Sequence, residues 1–554
     1  MHEAIEKEWN AAVAKIVASD HPKKIVVAGP GAGKTSLFKE LLAKSKAQKN
    51  SAEDHLTVTF INDLANELKK DLRDLSSVGT FHAYCKQLLH KNPYLREGLR
   101  EDFEVFTKLP TLIKSDWSLL HPEVAVPEFV KSIRATVDDK STRFFLDRSN
   151  YYNAVGFDDM IFRVYLKWLV SPKTAERHAL ILVDEYQDFN LLEVSLLKIL
   201  SEKNPIVIAG DDDQVLYGSF RGSSWNFIRD LYASPKYEPG NLPFCLRCPE
   251  VVVNAFNDVV RNATDDDHLK GRIPKRYEYF PPHKEIDSKA HPHIHTIQTS
   301  IQKSGAGNYF GRVIEKVIKS IPKSYVKESR EKGFPTVLII GNKQYRTQIS
   351  AHLKDRGYVF DEKIGSSGDE EKIVRKDGLR ILKENPDSTL GWRIILEVDK
   401  PAFFKKDPNR FLIFSPLKKI IPKEYVARIT AEAKTLKDEL PEATSKKGAA
   451  FGKPIIKLTS FQGAKGLSGQ YVFVVGLHNG DIPKRPDSIT DIEICKLLVA
   501  LTRTRKQCYL LWTRGFAGLP KNPSIFLDWI DKSRKEFSYI DAAYFKREAL
   551  RHKK

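Results

Sequence analysis

The sequence predicts an α/β protein built on parallel sheets with helices on both faces, and three observations carry that prediction. Short apolar runs recur at Lys24–Ala28, Ala179–Val183, Pro205–Ala209, Val337–Gly341 and Tyr471–Gly476. Each is bounded by Gly, Asp or Asn, and long amphipathic segments separate them, as for buried strands joined by helical crossovers. The chain has 554 residues, 41% of them hydrophobic and 29% charged, which suits a folded protein of several domains. In such sheets ligands bind at the carboxyl edge of the strands, so the residues that follow each run come first.

The first run, Lys24–Ala28, leads into Gly29-Pro30-Gly31-Ala32-Gly33-Lys34-Thr35-Ser36 and then the helical Leu37–Leu42. Glycines let the backbone bend so that successive N–H groups face a phosphate, and the helix offers its positive end. Lys34 is placed for the β/γ-phosphates, and the Thr35 hydroxyl for Mg²⁺. Ala28 stands where the strict pattern has Gly, yet strand, turn and helix fall as a nucleoside triphosphate site requires. ATP and Mg²⁺ are the expected ligands.

The second run, Ala179–Val183, ends in Asp184-Glu185-Tyr186-Gln187-Asp188. Acids where a buried strand emerges face such a loop: Asp184 to hold Mg²⁺, Glu185 to take a proton from the attacking water. The third, Pro205–Ala209, ends in Gly210-Asp211-Asp212-Asp213-Gln214, where Gln214 is suited to sense a γ-phosphate. Tyr217-Gly218-Ser219-Phe220-Arg221 follows, an aromatic beside a cation, suited to gripping a base and a phosphate.

Charge points the same way. Lys and Arg number 90 against 71 Asp and Glu, a net +19 that attracts a polyanion. No run approaches the roughly 18 apolar residues of a membrane span. Five cysteines in so long a chain suit a reducing compartment rather than a disulfide scaffold, and a cytoplasmic protein is expected. Cys245-x-x-Cys248 lacks further ligands at metal spacing and is read as structural.

The phosphate loop, Val183–Asp188 and Gly210–Gln214, in that order, resemble the UvrD/Rep-type DNA helicases of superfamily 1. Further segments extend the resemblance over roughly residues 9 to 515. Thr59-Phe60-Ile61-Asn62 is similar to the family's first DNA-contact segment, Thr80-Phe81-His82 to its TFH element, and Phe157-Asp158-Asp159 to its FDD stretch. Arg247 takes the place of the fourth-motif arginine, Gly463–Leu467 resembles the KGL motif, and Val499–Arg505 the VALTR motif with Arg503 as its arginine. The resemblance implies two RecA-like parallel-sheet P-loop motor domains with helical accessory insertions. It implies a first lobe from residues 1–90 and 175–245, an insertion at 91–174, a second lobe from 246–360 and 450–515, and a shorter insertion at 361–449. Residues 516–554 read as a basic tail. It further implies that Arg247 and Arg503 complete the site when the lobes close, and that Phe60, Asn62, Thr80, Phe81, His82, Phe220 and Arg221 contact DNA, single-stranded or partly duplex.

The chain departs from the family in places. No Gln precedes Gln48 to read adenine; Glu8–Val13 stands there instead. Leu246 replaces the aromatic residue that stacks on the base, so weaker discrimination between ATP and other nucleotides is expected. Ser468 and Gln462 replace an acid and a histidine around the KGL element. Two roles remain open: a 3′→5′ translocase and helicase in repair or phage defence, or a nucleotide-gated switch that senses DNA ends and signals to a partner nuclease. Compact UvrD-like proteins of the second kind occur beside nucleases in anti-phage systems such as Gabija.

Overall fold

A computed structural model describes residues 2–48, 50–362, 372–413, 417–436 and 452–551. The apolar runs form two parallel sheets, as their burial on both faces demands. The first contains β1 (Lys23–Ala28), β2 (His55–Thr59), β3 (Ser77–Thr80), β4 (Leu180–Val183), β5 (Ile206–Gly210) and β6 (Glu238–Leu242). Its order is β3-β2-β4-β5-β1-β6, all parallel. Register sets the site. Val27 pairs with Gly210 and Val183 with Ile208, so the residues after β1, β4 and β5 leave one edge together.

The second sheet contains β7 (Ile294–Thr299), β8 (Val337–Gly341), β9 (Asp361–Glu362), β10 (Ile456–Thr459), β11 (Gly469–Val475), β12 (Thr504–Thr513) and β13 (Lys535–Ile540). Its order is β9-β10-β8-β11-β12-β7-β13, again parallel. Gly469 lies beside Thr504, so residues 465–468 and Arg503, which precede these strands, gather at the amino edge.

Two stretches differ from the sequence reading. Residues 516–554, the last ~35 of which read as a basic helix or tail, include β13, which extends the second sheet, ahead of a helix over Ala542–Arg551. The helix is held to the lobe by the Arg312 guanidinium, 3.6 Å from the Phe545 ring centroid, and by Lys316 Nζ donating to Tyr544 Oη at 2.7 Å. An exposed edge strand has little apolar signal, which is why β13 was not legible. The stretch 265–295 is rich in Pro, His and charge and so reads as a loop, yet it includes a helix at Pro281–Ala290; its prolines sit in the first turn, where their missing N–H groups cost nothing.

The insertion after the first lobe's strands folds as helices, chiefly Leu109–Leu120, Lys140–Tyr152 and Phe157–Val170. The second lobe's insertion supplies Arg375–Glu384, Thr389–Asp399 and Lys423–Thr435. The two are joined through their interiors. Ile381, Leu390 and Ile394 of the second insertion belong to the same continuous apolar core as the first lobe and its insertion. Between them lies Asp116, fully buried. It accepts from Arg148 Nε at 2.9 Å, Tyr152 Oη at 2.6 Å and Arg393 Nε at 3.1 Å, and the Arg393 side chain is itself 0% exposed. Lys108 Nζ pairs with Asp377 at 2.8 Å nearby. The seam is a core with a charge network inside it.

Removing one member of a buried ion network leaves the others unpaired at a cost of about 3–5 kcal/mol. Asp116→Ala, which takes the buried carboxylate from Arg148 and leaves Arg393 only Glu397, is expected to lose stability of that order in urea denaturation and to expose both insertions to protease. Wild-type stability in this variant would contradict the seam.

Candidate functional site

The phosphate loop adopts the bend its glycines allow. Gly31 and Gly33 have φ of 74° and 88°, in the left-handed region that L side chains rarely adopt. Space forbids a side chain as well: a Cβ on Gly31 would lie 2.6 Å from Arg247 Cβ, and one on Gly33 2.8 Å from Leu246 Cδ1 and 3.2 Å from the Trp9 ring. The helix Lys34–Ala47 starts directly after, with Gly33 as its cap. Leu246 N donates to Gly31 O at 2.9 Å and Tyr277 Oη to Pro30 O at 2.8 Å, fixing the loop from outside.

At the adjoining strand ends stand the acids. Lys34 Nζ donates to Glu185 Oε1 at 2.6 Å and lies 3.4 Å from Asp184 Oδ1. Burial alone would lower the lysine's pKa, but the two carboxylates outweigh it and raise it. Burial likewise opposes ionisation of Glu185, yet Lys34 and Lys465 hold its carboxyl well below the usual range. Glu185 has φ of 54°, a left-handed backbone at a non-glycine residue, which turns its side chain back toward the loop. Gln187, to which the sequence reading assigned no role, bridges two strand ends: its Nε2 donates to Glu185 Oε2 at 2.6 Å and its Oε1 accepts from Asp211 N at 3.0 Å.

The second lobe closes the site. Arg503 Nη2 donates to Gln214 Oε1 at 3.1 Å, while Arg503 Nε is held by Val499 O at 2.9 Å. Desolvation, with Arg247 nearby, lowers the Arg503 pKa to about 10. Lys465, in the KGL segment, is buried; it pairs with Asp188 Oδ2 at 2.6 Å and donates to Gln214 O. Burial pushes Asp188 up to about 7 even with that ammonium beside it. Arg505 was also missed, although it lies two residues past Arg503; its Nε donates to Ser468 Oγ at 2.9 Å. The lobes share a cavity of about 310 Å³. Pro30 to Thr35, Asp184, Glu185 and Gln214 line it from the first lobe, and Arg247, Gly466, Arg503 and Arg505 from the other side. The helix Asn62–Leu72 adds Leu64, Glu67 and Asp71, which no phosphate-binding pattern would reveal.

Ala28 ends β1 in the core, and Ser36 is exposed in the first helical turn, so neither lines the cavity. Thr35 and Asp184 present two oxygen donors on its wall, the set a Mg²⁺ ion accepts. Trp9, from the stretch that lacks the glutamine, and Leu246, which replaces the aromatic residue, flank the loop at Gly33. The Trp9 indole N–H is buried and has no hydrogen-bond partner among the described residues.

The residues expected to contact DNA are placed differently. Phe81 is core, packed edge-on against Phe189 with centroids 5.4 Å apart, and Thr80 caps the helix Phe81–Lys91 by accepting from Ala83 N at 3.3 Å. Both are buried, so neither presents a contact surface. Phe60 lies under the Arg221 guanidinium, 4.4 Å from its ring centroid, and Arg221 pairs with Glu193 at 3.0 Å. Asn62 is exposed at the start of its helix. Of Phe220 only the backbone, in the short helix Gly218–Arg221, is described. His82 is half-buried against Phe157, its pKa lowered to about 4 chiefly by desolvation, with Asp158 opposing and Arg221 and Arg134 adding to the shift.

A family model described as an AAA domain matches residues 10–220. Among curated proteins, the chain is 27% identical over 290 residues to DNA helicase II of Haemophilus influenzae, covering 45% of this chain and 40% of that one. It is 25% identical over 304 residues to ATP-dependent DNA helicase PcrA of Staphylococcus epidermidis, covering 47% and 41%. A probable DNA helicase II homolog of Mycoplasma capricolum aligns over 95% of this chain and 87% of its own length at 23% identity. The match thus spans about two fifths of the first two relatives. No helix among the described residues is long and apolar enough to cross a membrane.

The depressed His82 predicts a pH effect of definite sign. Above its ordinary value of 6.5 the ring is neutral folded and unfolded; below it the unfolded chain gains a proton that the folded chain refuses until about pH 4. Stability should therefore fall across that window, and His82→Gln should lessen the fall when urea midpoints are compared. Parallel pH profiles would remove the assignment.

Proposed function

The chain is of the UvrD/Rep type of superfamily 1, and on that premise we propose that it is an ATP-driven motor on DNA. The observation that carries this reading is the shared cavity, where Lys34, Asp184, Glu185 and Gln214 of one lobe face Arg503 and Arg505 of the other. A triphosphate entering it meets the loop N–H groups, the helix end and Lys34. Its phosphates compete with Glu185 for that ammonium. While Lys34 sits on Glu185, the carboxylate is paired and a poor proton acceptor; drawn toward phosphate, the lysine releases it to act as base. Thr35 and Asp184 would hold the Mg²⁺, which neutralises phosphate charge when bound. Arg503, Arg247 and Arg505 add positive charge that only a closed cleft delivers, so the γ-phosphate draws the lobes together and its loss lets them part.

If each lobe also grips a single strand, closing and opening ratchets it along. The proposed substrate is single-stranded or partly duplex DNA, with 3′→5′ movement carried over from the family. The net charge of +19 supports a polyanion partner. A cytoplasmic setting, in repair or phage defence, completes the reading. The internal seam between the two insertions favours a second role in one respect. A body whose accessory parts share a core cannot swing one of them freely, which suits a nucleotide-gated DNA sensor that acts through a partner nuclease.

Glu185→Gln should bind nucleotide with near-wild-type affinity and lose hydrolysis by about a hundredfold or more; retained turnover would sink its assignment as base. Strand displacement on tailed duplexes by the wild-type chain separates the motor from the switch, which would hydrolyse ATP on DNA without unwinding. With Leu246 and Trp9 beside the loop, ATP and GTP should turn over at rates within about a factor of ten, and a strong ATP preference would refute that point.

A further inference from the structure

Of the segment Arg272–Tyr277 only Tyr277 enters the account above, yet the segment touches two walls of the nucleotide site. Asp211, Asp212 and Asp213 are consecutive and fully buried, with oxygens close enough together to hold a metal ion. A cation is already there. Lys275 Nζ pairs with Asp211 Oδ1, with Asp212 Oδ1 at 2.6 Å and with Asp213 Oδ2 at 2.9 Å, and its side chain is 3% exposed. Arg272 Nε donates to both oxygens of Asp213 at 2.8 and 2.9 Å, and Arg229 Nε to Asp212 Oδ2 at 3.0 Å. Three carboxylates thus meet three basic side chains away from bulk water, so each acid has a partner at hydrogen-bond distance.

The consequence reaches Gln214. The second oxygen of Asp211, Oδ2, accepts from Gln214 Nε2 at 2.8 Å, so the amide nitrogen is held toward Asp211 and the carbonyl faces Arg503. With Asp211 anchored by Lys275, the side chain of Gln214 has its direction set from behind. Two residues on, the Tyr277 ring lies against Gly29, where a Cβ would come within 2.5 Å of it, and its hydroxyl donates to Pro30 O. Arg276 Nη1 reaches Glu8 of the first helix at 2.7 Å. One short strap therefore holds the phosphate loop and the Gly210–Gln214 turn in a common frame.

We propose that Lys275 is a positioning residue for hydrolysis, aiming Gln214 into the cleft through Asp211 while Tyr277 keeps the phosphate loop in register with it. The proposal rests on the reading of the cleft as an ATPase site. A mere neutralising role for Lys275 would affect stability and nothing else, so the test must separate the two. Lys275→Arg keeps the charge, which guards against unfolding, but a planar fork cannot touch three converging carboxylates as a compact ammonium does.

The experiment uses the full chain and compares wild type, Lys275→Arg, Gln214→Ala and the double variant. It reads ATP turnover on single-stranded DNA, binding of a fluorescent ATP analogue, and melting temperature. Lys275→Arg should lower kcat about tenfold or more while analogue affinity changes less than about threefold. In the Gln214→Ala background the same change should cost less than about twofold, because the amide it aims is gone. Undiminished kcat, or the same proportional loss with and without Gln214, overturns the proposal, as does a lowered melting temperature with turnover per folded molecule unchanged. An inactive wild type would instead overturn the ATPase reading, and the strap's role with it.

Discussion

The acids at the strand ends of the nucleotide cleft, Asp184, Glu185, Asp188 and Asp211 to Asp213, are buried or nearly so, and each must meet a positive or donating group brought from another part of the chain. A buried carboxylate without a partner costs several kcal/mol, so this constraint governs how strand ends, strap and second lobe come together. Lys34 serves Glu185 and Asp184, Lys465 serves Asp188, Lys275 serves Asp211 to Asp213, and Arg503 donates to Gln214. Lys465 and Arg503 come from segments at the amino edge of the second sheet. The lobes are thus joined by the same charges that would process a triphosphate.

That economy has a functional side. A site whose lysines are already engaged by protein acids offers an arriving nucleotide an exchange of partners. In the proposed cycle the exchange at Lys34 matters most, since it would leave the Glu185 carboxylate held by Gln187, with Lys465 beyond, and no longer by the lysine of the phosphate loop. Arg503 and Lys465 link that end of the cleft to the second lobe, because both touch the Gln214 turn. Gln187 carries the link sideways, joining Glu185 to the backbone at Asp211. Outside the cleft, the same physics welds the accessory insertions through Asp116, where two guanidiniums and a phenol share one carboxylate.

Much of this was legible residue by residue. Buried parallel strands read as apolar runs because both faces are covered, and the loop, the acid pair and Gln214 read as chemistry because each directly follows such a run. What failed did so for identifiable reasons. Phe81 and Thr80 fit a DNA-contact pattern, but the same residue types also cap a helix and fill a core, and there they lie. The exposed edge strand Lys535–Ile540 alternates too weakly to stand out from a basic tail. Paired prolines at 281 and 282 resemble a loop, yet they open a helix.

The sequence by itself determined the two-sheet α/β architecture and which residues, from the phosphate loop to Gln214, stand together at the first sheet's carboxyl edge, since a strand end and the residue after it are neighbours in the chain. Tertiary structure alone decided the rest of the site. Arg503, Arg505 and Lys465 approach from the amino edge of the second sheet, and Lys275 reaches Asp211 from 64 residues away. Their partners are fixed by how two lobes and a strap fold onto one cleft, and a long-range charge pair leaves no periodicity or spacing by which a one-dimensional reading could find it.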